Sequence, residues 1–128
     1  MEDKKESLFL NRLKSVQYAC KGALLLVKNE SSIKIQVCIA IIVIIAGFVF
    51  DISLTEWLIQ FLAIGMVMSL EGLNTAIEEI ANFIHPEYHK KIGLIKDVAA
   101  GAVFIAAVFA SIVGLIIYLP KIFKYFSI

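Results

Sequence analysis

Three long apolar runs bounded by polar residues organise this chain, and a segment ahead of them interleaves apolar and basic positions. In residues 1–32, Phe9, Leu13, Val16 and Cys20 recur every three or four residues, while Arg12, Lys14, Lys21 and Lys28 fall on other faces. That spacing predicts an amphipathic helix. Its basic content suits a helix lying on an anionic membrane surface better than a soluble helix packed onto a bundle. Ile33 to Phe50 is the first candidate span, with Ile-Ile-Val-Ile-Ile at 41–45; a membrane crossing needs roughly 20 such residues. Asp51 to Glu56 reads as a short turn, and Trp57 stands where an interfacial aromatic is expected. The second span covers 57–83, apolar in its first half but carrying Glu71, Asn74, Glu78, Glu79 and Asn82 in its second. Residues 84–96 read as a polar loop, and Val98 to Leu119 as the third span, stopped by Pro120.

Composition strengthens the membrane reading. Of 128 residues, 60% are hydrophobic, more apolar surface than so short a chain can bury in its own core. The expectation is one domain over 1–128, all-α and integral to the membrane: a surface helix followed by three transmembrane helices. The net charge of +1 matters less than its placement. Lys4, Lys5, Arg12, Lys14, Lys21 and Lys28 precede the first span and Lys34 stands just inside its edge; Lys90, Lys91 and Lys96 follow the second span, and only Lys121 and Lys124 lie on the other side. The positive-inside rule predicts a cytoplasmic amino terminus and 84–96 loop, with the carboxyl terminus outside. Cys20 and Cys38 read as free thiols, without metal-binding spacing. Residues 1–30 lack the apolar core of a cleaved signal peptide. No nucleic-acid partner is expected.

The chemistry concentrates in the polar half of the second span. At 100° per residue, Asn74 falls about 60° from Glu71 around a helix and Glu78 about 20° from it, so all three share one stripe. A charged residue within a membrane costs roughly 2.5–3.5 kcal/mol on insertion scales, so such groups face a partner, a metal or a water-filled cleft. Asn29 and Glu30 ahead of the first span, and Lys96 and Asp97 ahead of the third, are expected at the same membrane face. Hard oxygen ligands of this kind suit Mg²⁺ shared with substrate phosphates, and a lysine beside them suits a polyphosphate. No GxxxxGK[ST] loop, GxGxxG turn or HExxH motif occurs. His85 and His89 read as loop histidines rather than metal ligands. Two other readings of the stripe stand beside a metal-and-phosphate site: polar glue between helices, and a small ion- or proton-coupled transporter using Glu71 or Glu78.

Glu-Gly-Leu-Asn-Thr-Ala-Ile-Glu at 71–78, Glu-Tyr-His at 87–89 and Lys-Asp-Val-Ala-Ala-Gly-Ala-Val at 96–103 resemble the prokaryotic diacylglycerol kinase family, which includes undecaprenol kinases. The resemblance extends to Tyr18-Ala19, Lys21-Gly22 and Asn29-Glu30 and covers nearly the whole chain. It implies a homotrimeric bundle in the bacterial inner membrane, with active sites shared between subunits. The implied activity is ATP- and Mg²⁺-dependent transfer of a γ-phosphate to the hydroxyl of a membrane lipid, diacylglycerol or undecaprenol. Carried over by position, Glu71 resembles the general base, Asn74 an orienting amide, and Glu30 and Glu78 the holders of the metal of Mg-ATP. Lys96 matches the lysine on the ATP phosphates; Asp97, Tyr18, Glu87, Tyr88 and His89 match nucleotide contacts. Two positions depart from the pattern: Asn82 stands where an Asp is common, and Gln36 where many undecaprenol-type relatives carry His. The Val-Ala-Ala-Gly run after Asp97 leans toward the undecaprenol branch.

Overall fold

In the computed structural model, residues 2–127 are described, with side chains from Ser7 to Ser127; the side chains of Lys4 and Lys5 lie outside the described residues. The described chain is all helix and connection: α1 (Glu2–Asn29), α2 (Ser31–Val49), α3 (Leu54–Ile84) and α4 (Lys90–Tyr125). The last three are long and apolar enough to cross a membrane. Helix α3 is the middle element, packed against both α2 and α4. Buried positions form a thin seam of small residues (Ala40, Gly47, Ala81, Ala99) mixed with larger ones: Ile33 on α2, Gln60 and Asn74 on α3, Val103 and Ile117 on α4. Large apolar side chains such as Ile42, Phe61, Leu62, Phe104 and Phe109 face outward instead. That is the arrangement expected where lipid, not water, meets the outer surface.

A single residue separates α1 from α2. Glu30 is extended (φ −97°, ψ 118°), yet its N–H donates to the Leu26 carbonyl and its own carbonyl accepts from Lys34 N–H. The helical ladder thus continues on both sides of one bent residue. Near this elbow α1 meets α3, where a Cβ on Gly72 would stand 3.0 Å from Leu26 Cδ1. Further back, Phe9, Leu13 and Val16 are all more than half exposed, so these side chains stand clear of the helices behind them.

The α2–α3 hairpin turns through Phe50–Ser53. Asp51 takes a left-handed backbone (φ 49°), a conformation that short polar side chains tolerate better than most. Ser53 caps α3 by accepting from Glu56 N–H at 3.2 Å, and its hydroxyl donates to the Glu56 carboxylate at 3.1 Å. This is a variant of the capping box. Trp57 then lies over Gly47, between Phe48 and Phe61, with ring centroids 4.9 and 5.5 Å away.

Two boundaries differ from the sequence expectation. The connection between the second and third spans is only 85–89, because His89 caps α4 by accepting from Lys91 N–H at 3.1 Å. Pro120 does not stop the last helix, which runs on to Tyr125. A proline here removes one ladder bond close to the helix end. The turn beyond it is held from outside, by a Lys121–Glu56 ion pair at 2.6 Å and an edge contact of Tyr125 on Phe50.

Candidate active site

Helix lengths decide where the polar stripe lies. With a rise of about 1.5 Å per residue, α3 outruns α2 by roughly 18 Å. Since the short hairpin ties the end of α2 to the start of α3, this excess projects on the face where α2 and α4 begin. Asn74, Glu78 and Asn82 occupy that projecting part and Glu71 stands just before it, against α2; Glu30 at the elbow and Lys96 in the second turn of α4 belong to the same face. We call this the basic face.

Glu71, Asn74, Glu78, Asn82 and Lys96 each have a side-chain partner. Glu71 is half-buried, and its Oε2 accepts from Gln36 Nε2 on α2 at 3.2 Å. Asn74 is only 8% exposed. Its Nδ2 donates to Glu78 Oε1 at 3.5 Å, one turn along α3, while its Oδ1 is buried without a hydrogen-bond partner. Lys96 Nζ donates to Asn82 Oδ1 at 2.5 Å. Glu30 is half-buried and makes no side-chain capping bond to α2. Asp97 is exposed. Tyr18 (70% exposed) on α1 and Tyr88 (89%) in the 85–89 connection project outward. Glu87 is also exposed. Both loop histidines serve local structure: His85 Nδ1 lies 2.7 Å from the Glu87 carbonyl, His89 caps α4, and the two rings meet edge to face.

The acids do not close into a metal cage within one chain. Among the described residues no three His, Cys, Asp or Glu side chains gather at ligand range. The reason lies in the stripe itself, because seven residues of helix separate Glu71 from Glu78 by about 10 Å along the axis. Glu71 therefore stands apart from Glu78, and the two carboxylates are available for different tasks. Asn74 and Glu78, joined by their hydrogen bond, offer hard oxygens of the kind Mg²⁺ takes, and one of them, Asn74 Oδ1, is buried and unpartnered. This ion normally takes one or two carboxylates and completes its shell with water and substrate phosphate.

Below the stripe lies a cavity of about 550 Å³ between α2, α3 and α4. Gln36 and Glu71 line its basic-face end, and Gln60 and Ile117 its far end; Ile39, Val43 and Val67 are among its apolar walls. Gln60 is 3% exposed, and the Tyr118 hydroxyl lies between its amide and the Val43 carbonyl. Sequence reasoning assigned no role to Gln36, Asn82 or Gln60. The available signal was a polar residue inside an apolar run, which marks Gln36 and Gln60 as needing partners.

A family model described as prokaryotic diacylglycerol kinase matches residues 17–118, and so takes in the stripe, the elbow and all three long helices. The chain belongs to the prokaryotic diacylglycerol kinase family. As a member of that family it is a phosphotransferase of the lipid-kinase class. Among its relatives, the undecaprenol kinase of Bacillus subtilis is 41% identical over 123 residues, covering 95% of this chain and all of the relative. The diacylglycerol kinase of Synechocystis is 33% identical, over 88% of this chain and 65% of its own length. That of Haemophilus influenzae is 31% identical, over 79% and 86%. Membership agrees with the resemblance read from residues 71–78 and 96–103, both inside the matched region.

Proposed function

We propose that this kinase moves the γ-phosphate of ATP to the primary hydroxyl of a membrane lipid at the cytoplasmic face of the bacterial inner membrane, with Mg²⁺ as cofactor. The observation that carries this reading is the cavity below the stripe: a largely apolar, helix-lined space with a carboxylate, Glu71, at its polar end. A lipid alcohol entering it brings a hydroxyl to a base while its chain stays among Ile39, Val43 and Val67. Proton transfer from the hydroxyl to Glu71 accompanies attack of the lipid oxygen on the γ-phosphorus. The new O–P bond forms as the bond to the β–γ bridging oxygen breaks, and ADP leaves. Such transfers depend on positioning and charge neutralisation more than on covalent chemistry.

On this reading Lys96 grips the phosphates, steadied by Asn82, and Glu78, Asn74 and Glu30 supply oxygens to Mg²⁺. That ion, when bound, neutralises charge on the β- and γ-phosphoryl oxygens. Asp97, Tyr18, Glu87, Tyr88 and His89 surround the nucleotide. Helix α1 rests its exposed apolar side on the cytoplasmic leaflet, and the carboxyl terminus lies outside. One chain offers few walls to enclose both ATP and a lipid, so the working unit is a homotrimer in which neighbouring copies complete each site. The substrate is a lipid alcohol of the undecaprenol or diacylglycerol kind; the 41% identity to an undecaprenol kinase supports the polyprenol. Family membership leaves the transporter reading without support.

The test is transfer of labelled γ-phosphate to extracted membrane lipid by the purified protein and by Glu71→Gln. Loss of a well-placed base lowers the rate roughly 10²–10⁴-fold, with assembly in detergent unchanged. Near-normal turnover in the variant would overturn the assignment of the base.

A further inference from the structure

The main chain holds the two histidines of the 85–89 connection in opposite tautomers. His85 Nδ1 lies 2.7 Å from the Glu87 carbonyl oxygen. A carbonyl only accepts, so this nitrogen carries the proton and Nε2 of neutral His85 is bare. His89 is the reverse: its Nδ1 accepts from Lys91 N–H at 3.1 Å, so neutral His89 keeps its proton on Nε2. While that cap is made, His89 has no bare nitrogen left for a metal. Histidine is also an unusual residue to cap a helix. Serine, threonine, asparagine and aspartate are the favoured ones, and each of them still accepts in mildly acid solution.

We propose that His89 is a positioning residue: its neutral imidazole fixes the connection that faces the nucleotide, and its protonation releases that connection, so that ATP is bound less well as the pH falls. The inference rests on the reading in which Glu87, Tyr88 and Lys96 meet ATP. A second proton on His89 goes to Nδ1, which then turns an N–H toward the Lys91 N–H, and the cap is lost. A second proton on His85 goes to Nε2 and leaves the bond to the Glu87 carbonyl in place. Of the pair, only His89 responds. The titratable groups beside it are His85, whose ring meets it edge to face at 5.3 Å, Glu87 and Tyr88 before it, and Lys90 and Lys91 after it. Once charged, the ring is repelled by the two lysines and by the positive end of the α4 dipole, while Glu87 draws it back into the connection. His89 also holds the first turn through its carbonyl, which accepts from Gly93 N–H at 2.9 Å, and the Tyr88 ring lies 3.5 Å from where a Cβ on Gly93 would stand. Release at this joint therefore moves Glu87 and Tyr88 together with the turn that leads to Lys96. An imidazole ordinarily changes charge between pH 5 and 8. The cap is whole at the upper end of that range and is lost as the pH falls through it.

The experiment compares wild type, His89→Asn and His89→Ala, full-length in detergent micelles, at about pH 8 and about pH 5.5, either side of the usual imidazole range. Two quantities are read: hydrogen-exchange protection of the Lys91 amide, corrected for the intrinsic effect of pH on exchange, and KM for ATP at saturating Mg²⁺ and lipid. In wild type, protection should fall about fivefold on acidification, the usual cost of losing a cap, and KM for ATP should rise by about threefold or more. Asparagine caps without titrating, so in His89→Asn protection should be equal at the two pH values, and whatever its KM at the higher pH, acidification should raise it less than in wild type. His89→Ala should be unprotected at both. A direct contact between a charged His89 and phosphate predicts the opposite sign, a KM that falls on acidification, and that result would overturn the proposal. So would a wild-type Lys91 amide indifferent to pH, or a KM response shared equally by wild type and His89→Asn. Failure of the kinase reading looks different: a wild type that moves no phosphate to lipid sinks that reading, whereas an active wild type with an unresponsive Lys91 amide sinks this inference alone.

Discussion

Alanine at position 47 would place a methyl group where the Trp57 ring already lies. The Cβ of such a residue stands 2.6 Å from Trp57 Cη2, 2.7 Å from Cζ2 and 3.1 Å from Ile52 Cδ1. Ordinary carbon contacts begin near 3.5 Å, so the ring must retreat by almost 1 Å. It has little room, because Phe48 and Phe61 pack against it and Ile52 is 5% exposed. Overpacking of this kind costs about 1–3 kcal/mol. Replacing glycine inside a helix returns up to about 1 kcal/mol in propensity. The net expectation for Gly47→Ala is a loss of about 1–2 kcal/mol, read as a fall in Tm of roughly 3–10 °C. Trp57 is the only tryptophan in the chain, so its emission reports on the clash directly. Thermal unfolding by circular dichroism together with fluorescence measures both effects. Gly47→Ala combined with Trp57→Leu should be at least as stable as Trp57→Leu alone, because the smaller side chain vacates the contact. The site is separated from position 47 by about 24 Å of helix between Ser31 and Gly47, so KM for ATP should stay unchanged. Unaltered Tm and emission in Gly47→Ala would refute the packing described for this hairpin.

Three further outcomes concern the active site. Lys96→Ala should raise KM for ATP by about tenfold or more, equivalent to roughly 1.4 kcal/mol of lost phosphate binding, while KM for the lipid stays within twofold; steady-state kinetics at saturating lipid checks this. Removing divalent ions with excess chelator should abolish transfer, and added Mg²⁺ should restore it, because on the proposed reading a divalent ion neutralises charge on the phosphoryl group being moved. Mixing Glu71→Gln with Lys96→Ala subunits before assembly should recover partial activity if one copy supplies the base and its neighbour the lysine; strict absence of recovery would place both in one subunit.

The helical architecture was readable because its signals are long and periodic. An apolar run of 18 or more residues admits few interpretations, and Ile33 to Phe50 became α2 within two residues at its start and one at its end. Ends decided by single side chains were harder to read. Pro120 carried a valid local signal, but Lys121 and Tyr125 reach back across the bundle to Glu56 and Phe50, and such contacts are invisible to local reasoning. His89 shortens the preceding loop for a similar reason, through a cap that its sequence neighbours do not announce. Within the site, the one-face relation of Glu71, Asn74 and Glu78 follows from helix periodicity alone. The pairing of Gln36 with Glu71 spans 35 positions and depends on how α2 lies against α3. The same holds for Asn82, whose meeting with Lys96 requires the turn at 85–89 to bring α4 back alongside α3.

The bend at Glu30 ties two otherwise separate matters together. Because the helical ladder is intact up to Glu30 N–H and resumes from its carbonyl, the direction of all 28 residues of α1 relative to α2 depends chiefly on one pair of backbone torsions. A few degrees of rotation there sweep the distant end of α1 through several ångströms, since a helix of that length extends about 42 Å. The lie of α1 against its surroundings is therefore set at the same residue whose side chain the proposed site draws on, so that one point of the chain serves both.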